Sequence, residues 1–128
     1  MASQAFVNKI WRESSPINWK STGTTVLIPA ISGKLIVRTI FVHLVTRTGS
    51  GTGATLTIGA NSATWNNLYT GSAFGGAHFQ DEYVELSYNA TSKLVPIDLA
   101  NGMRLNISAA STFTTDTGIV YIEGIVIP

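Results

Sequence analysis

From Thr24 onward, short runs of apolar and β-branched residues are separated by breaks rich in Gly, Asn and Ser, and no stretch holds a helical period. The runs predict strands at Thr24–Ile28, Leu35–Thr46, Ala54–Ile58, Asn67–Tyr69, Tyr83–Tyr88, Leu94–Asp98, Met103–Ser108 and Gly118–Ile127. Turn signals fall between them at Ser32-Gly33, Gly49-Ser50-Gly51, Gly75-Gly76, Asn89, Asn101-Gly102 and Asp116-Thr117-Gly118. Asn101-Gly102, between two strand-like runs, is the strongest hairpin signal in the chain. Such spacing predicts an all-β fold, a single jelly-roll-like β-sandwich over residues 24–128.

Most strands alternate as a half-wet strand should: Met103, Leu105 and Ile107 against Arg104, Asn106 and Ser108, and Ala54, Leu56 and Ile58 against Thr55 and Thr57. Two do not. In LIVRTIFVHLVT, strict alternation points Leu35, Val37, Phe41 and Val45 one way and Ile36, Ile40, Val42 and Leu44 the other. In GIVYIEGIVIP, Ile119, Tyr121, Ile125 and Ile127 oppose Val120, Ile122 and Val126. One face of each strand can enter the core, and the other needs a cover. Burying a Val, Leu or Ile side chain contributes ~1.5–3 kcal/mol, enough over two such faces to drive association. Self-association is the favoured reading, with β-bulges that turn part of each strand over as the alternative.

Residues 1–23 differ from the rest. Phe6, Ile10, Trp11 and Trp19 stand among polar residues, Ser14-Ser15-Pro16 breaks the segment and Gly23 ends it. It reads as an extended N-terminal arm, and each indole buries on the order of 150–250 Å² when it docks. The arm packs either on its own domain or on a neighbour, and Phe6, Ile10, Trp11 and Trp19 are its expected anchors.

Composition narrows the function. Charged residues make up 12% of 128 residues, about half the roughly 25% of ordinary domains. The net charge is +1 and the eight basic residues are scattered, so neither nucleic acid nor an anionic membrane is an expected partner. No cysteine is present, which removes thiol chemistry and suits synthesis in a reducing cytoplasm. The first residues lack the apolar core of a secretory signal, and no apolar run reaches the ~18 residues of a membrane helix.

Conventional chemistry is sparse. His43 stands among apolar strand residues and reads as structural. His78 precedes Asp81 and Glu82, with Glu85 beyond, a donor set that could hold a divalent cation but matches no established metal loop. A solvated acidic turn explains that set equally well. Gly-x-Ser-x-Gly is absent, and GSGTGATLTIG leads into a strand and not a helix, so phosphate-cradle readings fail. No catalytic residue, metal or cofactor is expected.

Two longer stretches carry a resemblance. KLIVRTIFVHLVTRTGSGTGATLTIGANSATW is a long strand with an internal Arg, a Gly/Thr loop and an ATLTIG strand. KLVPIDLANGMRLNISAASTFTTDTGIVYIEGIVI is an apolar strand, a Gly turn, an alternating strand, a Ser/Ala/Thr stretch and a final apolar strand. This order, over residues 34–127, resembles small β-sandwich accessory proteins of tailed bacteriophage particles, such as head decoration (cement) proteins and some tail components. The resemblance implies a non-enzymatic virion protein made in the host cytoplasm, a homotrimer on the capsid surface, with the major capsid protein as its partner. The doubly apolar strands would then meet sister subunits through Phe41, Val45, Tyr121 and Ile125. A tail-associated component is the nearby alternative.

A carbohydrate-binding jelly-roll module is the alternative from another class. In ANSATWNNLYTG, Trp65 and Tyr69 could stack on sugar rings while Asn61, Asn66 and Asn67 bond the hydroxyls. The plainer reading makes Trp65 core and the asparagines turn residues. One fold hosts many functions, so fold does not arbitrate.

Overall fold

A computed structural model describes residues 8–72, 78–86 and 96–127. Phe6 lies outside these residues, as do the side chains of Ile10 and Trp11. Among the described residues ten strands follow in order: β1 Asn8–Glu13, β2 Ile17–Asn18, β3 Gly23–Ile28, β4 Lys34–Thr48, β5 Thr55–Gly59, β6 Tyr69–Ser72, β7 Tyr83–Glu85, β8 Ile97–Asp98, β9 Met103–Ala109 and β10 Thr115–Ile127. They form two antiparallel sheets. The first runs β1-β10-β4-β7, with β2 also on β10 and β8 also on β4; the second runs β3-β9-β5-β6.

The β1/β2 and β7/β8 pairs each act as one interrupted strand, which leaves eight strands in nested pairs. The first pairs with the eighth, the second with the seventh, the third with the sixth and the fourth with the fifth. A long nested hairpin rolled into two sheets is a jelly roll. The expected sandwich is therefore the observed one.

The rolling explains one correction. Asn101-Gly102 does not close a hairpin, because β8 pairs with β4 in the first sheet and β9 with β3 and β5 in the second. Its turn carries the chain between layers. Gly102 sits at φ +74°, its N–H bonds to Leu99 O at 2.9 Å, and an added Cβ would lie 2.6 Å from Ile28 O.

The N-terminal segment differs from the expected arm. Asn8–Glu13 runs antiparallel to Val126–Tyr121, and Ile17–Asn18 pairs with Gly118–Thr117. Ser14 to Pro16 interrupts the strand without detaching it, since Ser14 N–H donates to Val120 O at 2.9 Å and Ser14 Oγ accepts from Val120 N–H at 3.0 Å. Among the described residues the segment is the edge of the first sheet. Trp19 is no outward anchor but a core residue at 0% exposure. Its backbone N–H bonds to Asp116 O, and Ser111 N–H bonds back to its carbonyl, each at 2.9 Å. The indole lies over Gly118, where a Cβ would come within 2.8 Å of Nε1.

Bulges settle the doubly apolar strands. The β4–β10 register passes from Thr39↔Glu123 to Val37↔Gly124 and from Thr46↔Thr117 to Leu44↔Gly118, so Arg38 and Val45 are extra residues. Each extra residue reverses the alternation. Leu35 and Val37 point inward before the first bulge, and Ile40, Val42 and Leu44 point inward after it, all at 0% exposure. The assignment by strict alternation, which put those two groups on opposite faces, is corrected accordingly. After the second bulge Arg47 turns inward. The core between the sheets joins these residues with Val120 and Ile122 to Ile28, Leu56, Ile58, Met103, Leu105 and Ile107.

Candidate interaction face

The bulges that fill the core leave apolar side chains on the outer side of the first sheet. One rung across four strands reads Glu13–Tyr121–Phe41–Glu85, and the next reads Ile119–His43–Tyr83. Phe41 stacks on Tyr121 with ring centres 5.0 Å apart and planes 15° from parallel, and it meets Tyr83 at 6.1 Å. The His43 imidazole stacks on Tyr83 at 4.3 Å. Tyr83 is 60% exposed, while Phe41, His43, Ile119 and Tyr121 are half-buried. Burial raises the Tyr121 phenol above its ordinary value, and the charges of Glu13 and Tyr83 add to that.

Of the four expected interface residues, Phe41 and Tyr121 are in direct contact. Ile125 lies on the same side, opposite Ile36, and Val45 sits at the second bulge; both are half-buried. Glu13, His43, Tyr83 and Glu85 were not singled out for this face. They reach it through cross-strand register, and the only local signal was alternation in Tyr83-Val84-Glu85, where Val84 packs on the core.

The face is bordered by residues 78–82, which bind the β4 edge. Asp81 N–H donates to Leu44 O at 2.7 Å, and Leu44 N–H donates to Glu82 O at 2.9 Å. His43 Nε2 lies 3.4 Å from Asp81 Oδ1, and His78 Nδ1 donates to the Glu82 carboxylate. That hydrogen bond is the main cause holding the Glu82 carboxyl below its ordinary range, partly opposed by desolvation. Both histidines of the chain thus each engage one carboxylate of this segment. Among the described residues no three His, Asp or Glu side chains converge on a metal position.

Beneath the segment lies a cleft of about 280 Å³, floored by Arg47 and Phe113 and rimmed by Gly49, Gly51, Phe79 and Gln80. Arg47 forms a bidentate pair with Asp116, Nε to Oδ1 at 3.1 Å and Nη2 to Oδ2 at 2.8 Å. Its Nη1 donates to His78 O at 3.2 Å, and its guanidinium stacks 4.0 Å from the Phe113 ring. The arginine is therefore held by structure; Ser50 and His78 complete the lining of the cleft.

The sugar-binding residues do not assemble. Tyr69 pairs with Ile58 and packs on the core. Trp65 stands at φ +51° on the other side of the second sheet, with the Arg104 guanidinium 5.4 Å from its ring. Asn61 Oδ1 accepts from the Asn66 and Asn67 N–H groups at 2.8 and 3.1 Å, and its amide donates to Thr64 Oγ1 and Asn66 Oδ1 at 2.9 and 2.7 Å. Asn67 Oδ1 accepts from Ala60 N–H at 2.8 Å. These amides hold the loop, and the two rings share no platform.

Fold and face define a jelly-roll domain with an aromatic outer sheet. Solved structures share the fold, two of them from phage capsids. A chain of the capsid asymmetric unit of cyanophage Pam1 matches with a TM-score of 0.63 at 11% identity, over 95% of this chain and 86% of that one. A chain from the acidic stable capsid of Helicobacter pylori bacteriophage KHP30 matches with a TM-score of 0.58 at 12% identity, over 95% of this chain and 94% of that one. No family model and no curated protein matches the sequence.

Proposed function

We propose that this chain is a non-enzymatic structural protein of a phage virion, a decoration (cement) protein that binds the assembled capsid and stabilises it. The observation that carries this reading is the match of nearly the whole chain to capsid chains which are themselves covered to 86% and 94%, and so are of similar length. Its partner is the major capsid protein and its place is the capsid surface. The mechanism is mechanical: a rigid sandwich laid across subunit junctions makes many modest contacts that must break together. The protein acts as a homotrimer, and the outer face of the first sheet, with Phe41, Val45, Tyr121 and Ile125, meets other virion chains. The carbohydrate-binding alternative loses support because its aromatic rings lie on opposite sides of one sheet.

The experiment is co-sedimentation of the purified protein with heads lacking it, together with its solution mass by light scattering. The expected results are saturable binding that raises the heads' resistance to heat, and a mass three times the 13.6 kDa of one chain. Absence of binding to heads refutes decoration, and a monomer mass refutes the trimer.

A further inference from the structure

The outer face of the first sheet has a charge pattern as well as an apolar centre. Glu13 and Glu85 stand exposed at the two ends of the rung whose middle is Tyr121 and Phe41. The Asp81 side chain, 76% exposed, borders the next rung beside His43 and Tyr83. Glu123, 9% exposed, accepts from Thr39 Oγ1 one rung further along. Among the described residues, none of the cations on this sheet shares a register position with the two aromatic rungs: Arg47 is buried in its pair with Asp116, Arg38 is at the first bulge, Lys34 is opposite Asp98, and Lys9 and Arg12 are opposite Ile125 and Ile122 on the edge strand. The second sheet is different: β3, β5, β6 and β9 contain no Asp or Glu, and Arg104 is their single charge.

This pattern bears on what covers the face. Consider two copies packed face to face about a twofold axis. An axis along the rung sets Glu13 against Glu13 and Glu85 against Glu85, and an axis across it sets Glu13 against Glu85. Both place carboxylate on carboxylate, which like-charge repulsion disfavours. Packing this face on the second sheet of another copy brings Arg104 near, but the two faces point in opposite directions. Repeating that contact builds an open stack and not a closed oligomer.

We infer that the Tyr121–Phe41–Tyr83 face docks on a basic surface of a different protein, one that presents Arg or Lys side chains among apolar ones. The chemistry is complementary throughout. Guanidinium and ammonium groups are attracted to the faces of Tyr and Phe rings, and their aliphatic stems cover apolar surface. Their charges then reach Glu13, Glu85 and Asp81 at the rim. On the decoration reading, on which this inference rests, the surface belongs to the capsid shell, and sister subunits meet elsewhere.

The test uses the full chain and heads lacking it, with binding measured at about 50 mM and about 500 mM NaCl, where screening differs strongly. The expected result is at least about tenfold weaker binding at the higher salt, and a similar loss with E13Q/E85Q, whose own salt dependence is flatter. F41A should also weaken binding, while R104Q on the opposite sheet should not. Salt-independent binding, or E13Q/E85Q binding as wild type does, overturns the inference. So does a wild-type oligomer that these same substitutions dissociate, because a second copy then occupies the face.

A second probe separates this inference from the decoration reading. A peptide of alternating Arg and Leu is titrated into the protein while amide shifts are followed. Shifts at residues 41, 83 and 121, without binding to heads, would refute decoration and leave the basic-partner inference standing. No shift there, with or without head binding, overturns the inference.

Discussion

The Arg47–Asp116 pair offers the sharpest test of how the sandwich is held. The Arg47 and Asp116 side chains are 2% and 0% exposed, and both bonds of the fork are made. Replacing Asp116 by Ala leaves a guanidinium buried without its counter-charge, a change that costs about 3–5 kcal/mol. Domains of this kind have total stabilities of about 5–15 kcal/mol, so one substitution removes a large share. With a urea m-value of about 2 kcal/mol/M, the denaturation midpoint should fall by about 2 M. Replacing both residues by Leu removes both charges and should be milder than Asp116→Ala alone. A residual loss is still expected there, because Arg47 also bonds His78 O and covers Phe113. Faster amide exchange at residues 79–82 would report it. A loss under about 1 kcal/mol for Asp116→Ala, or a double variant equal to the sum of its singles, would refute the buried-pair account.

Two further outcomes follow from local geometry. Gly118→Ala places a Cβ 2.6 Å from His43 O and 2.8 Å from Trp19 Nε1, an overpacking expected to cost about 1–3 kcal/mol; an unchanged melting temperature would contradict it. Glu82 has its carboxyl depressed chiefly by the His78 hydrogen bond. The stability this bond contributes is therefore present above the ordinary carboxylate range and is lost as pH falls through the depressed value. His78→Gln should move the Glu82 midpoint, read by carboxyl NMR, upward, and a midpoint that stays in place would show another cause.

Strand positions from Thr24 onward were legible because alternation and turn residues are local properties. Each of the eight expected strands overlaps an observed one, to within a few residues where both ends are described. Pairing was not legible. Asn101-Gly102 has the local chemistry of a hairpin, yet the sheet partners of β8 and β9 are set by strands far away in sequence. In β4 the phase change after Val37 was visible but ambiguous, since a strand apolar on both faces and a strand with a bulge give the same letters. Asn8–Glu13 escaped notice because a charged edge strand carries little apolar signal. Trp19 was misplaced along with its segment, since nothing local shows that Gly118 leaves room for an indole. Of the candidate face, Phe41 and Tyr121 could be found as aromatics on the wrong side of buried strands. Glu13, His43, Tyr83 and Glu85 join them only through register.

The bulge at Arg38 couples the core to the face. Because it adds one residue to β4, the same shift that turns Ile40, Val42 and Leu44 inward turns Phe41 and His43 outward, opposite Tyr121 and Ile119. The aromatic surface is therefore built by the packing of the sandwich and is not an accident of surface composition. The second sheet also shifts register, at Leu27 and at Ser108, but its outward positions carry Thr55, Arg104 and Asn106 and no such cluster of rings. The first sheet keeps at its surface a cluster of rings of the kind that monomers rarely leave uncovered. On the proposed docking, a face held in place by the packing of the core needs little ordering, so the conformational-entropy cost is small. For a protein proposed to hold a shell together, that places the work in the interface and leaves the sandwich unchanged on binding.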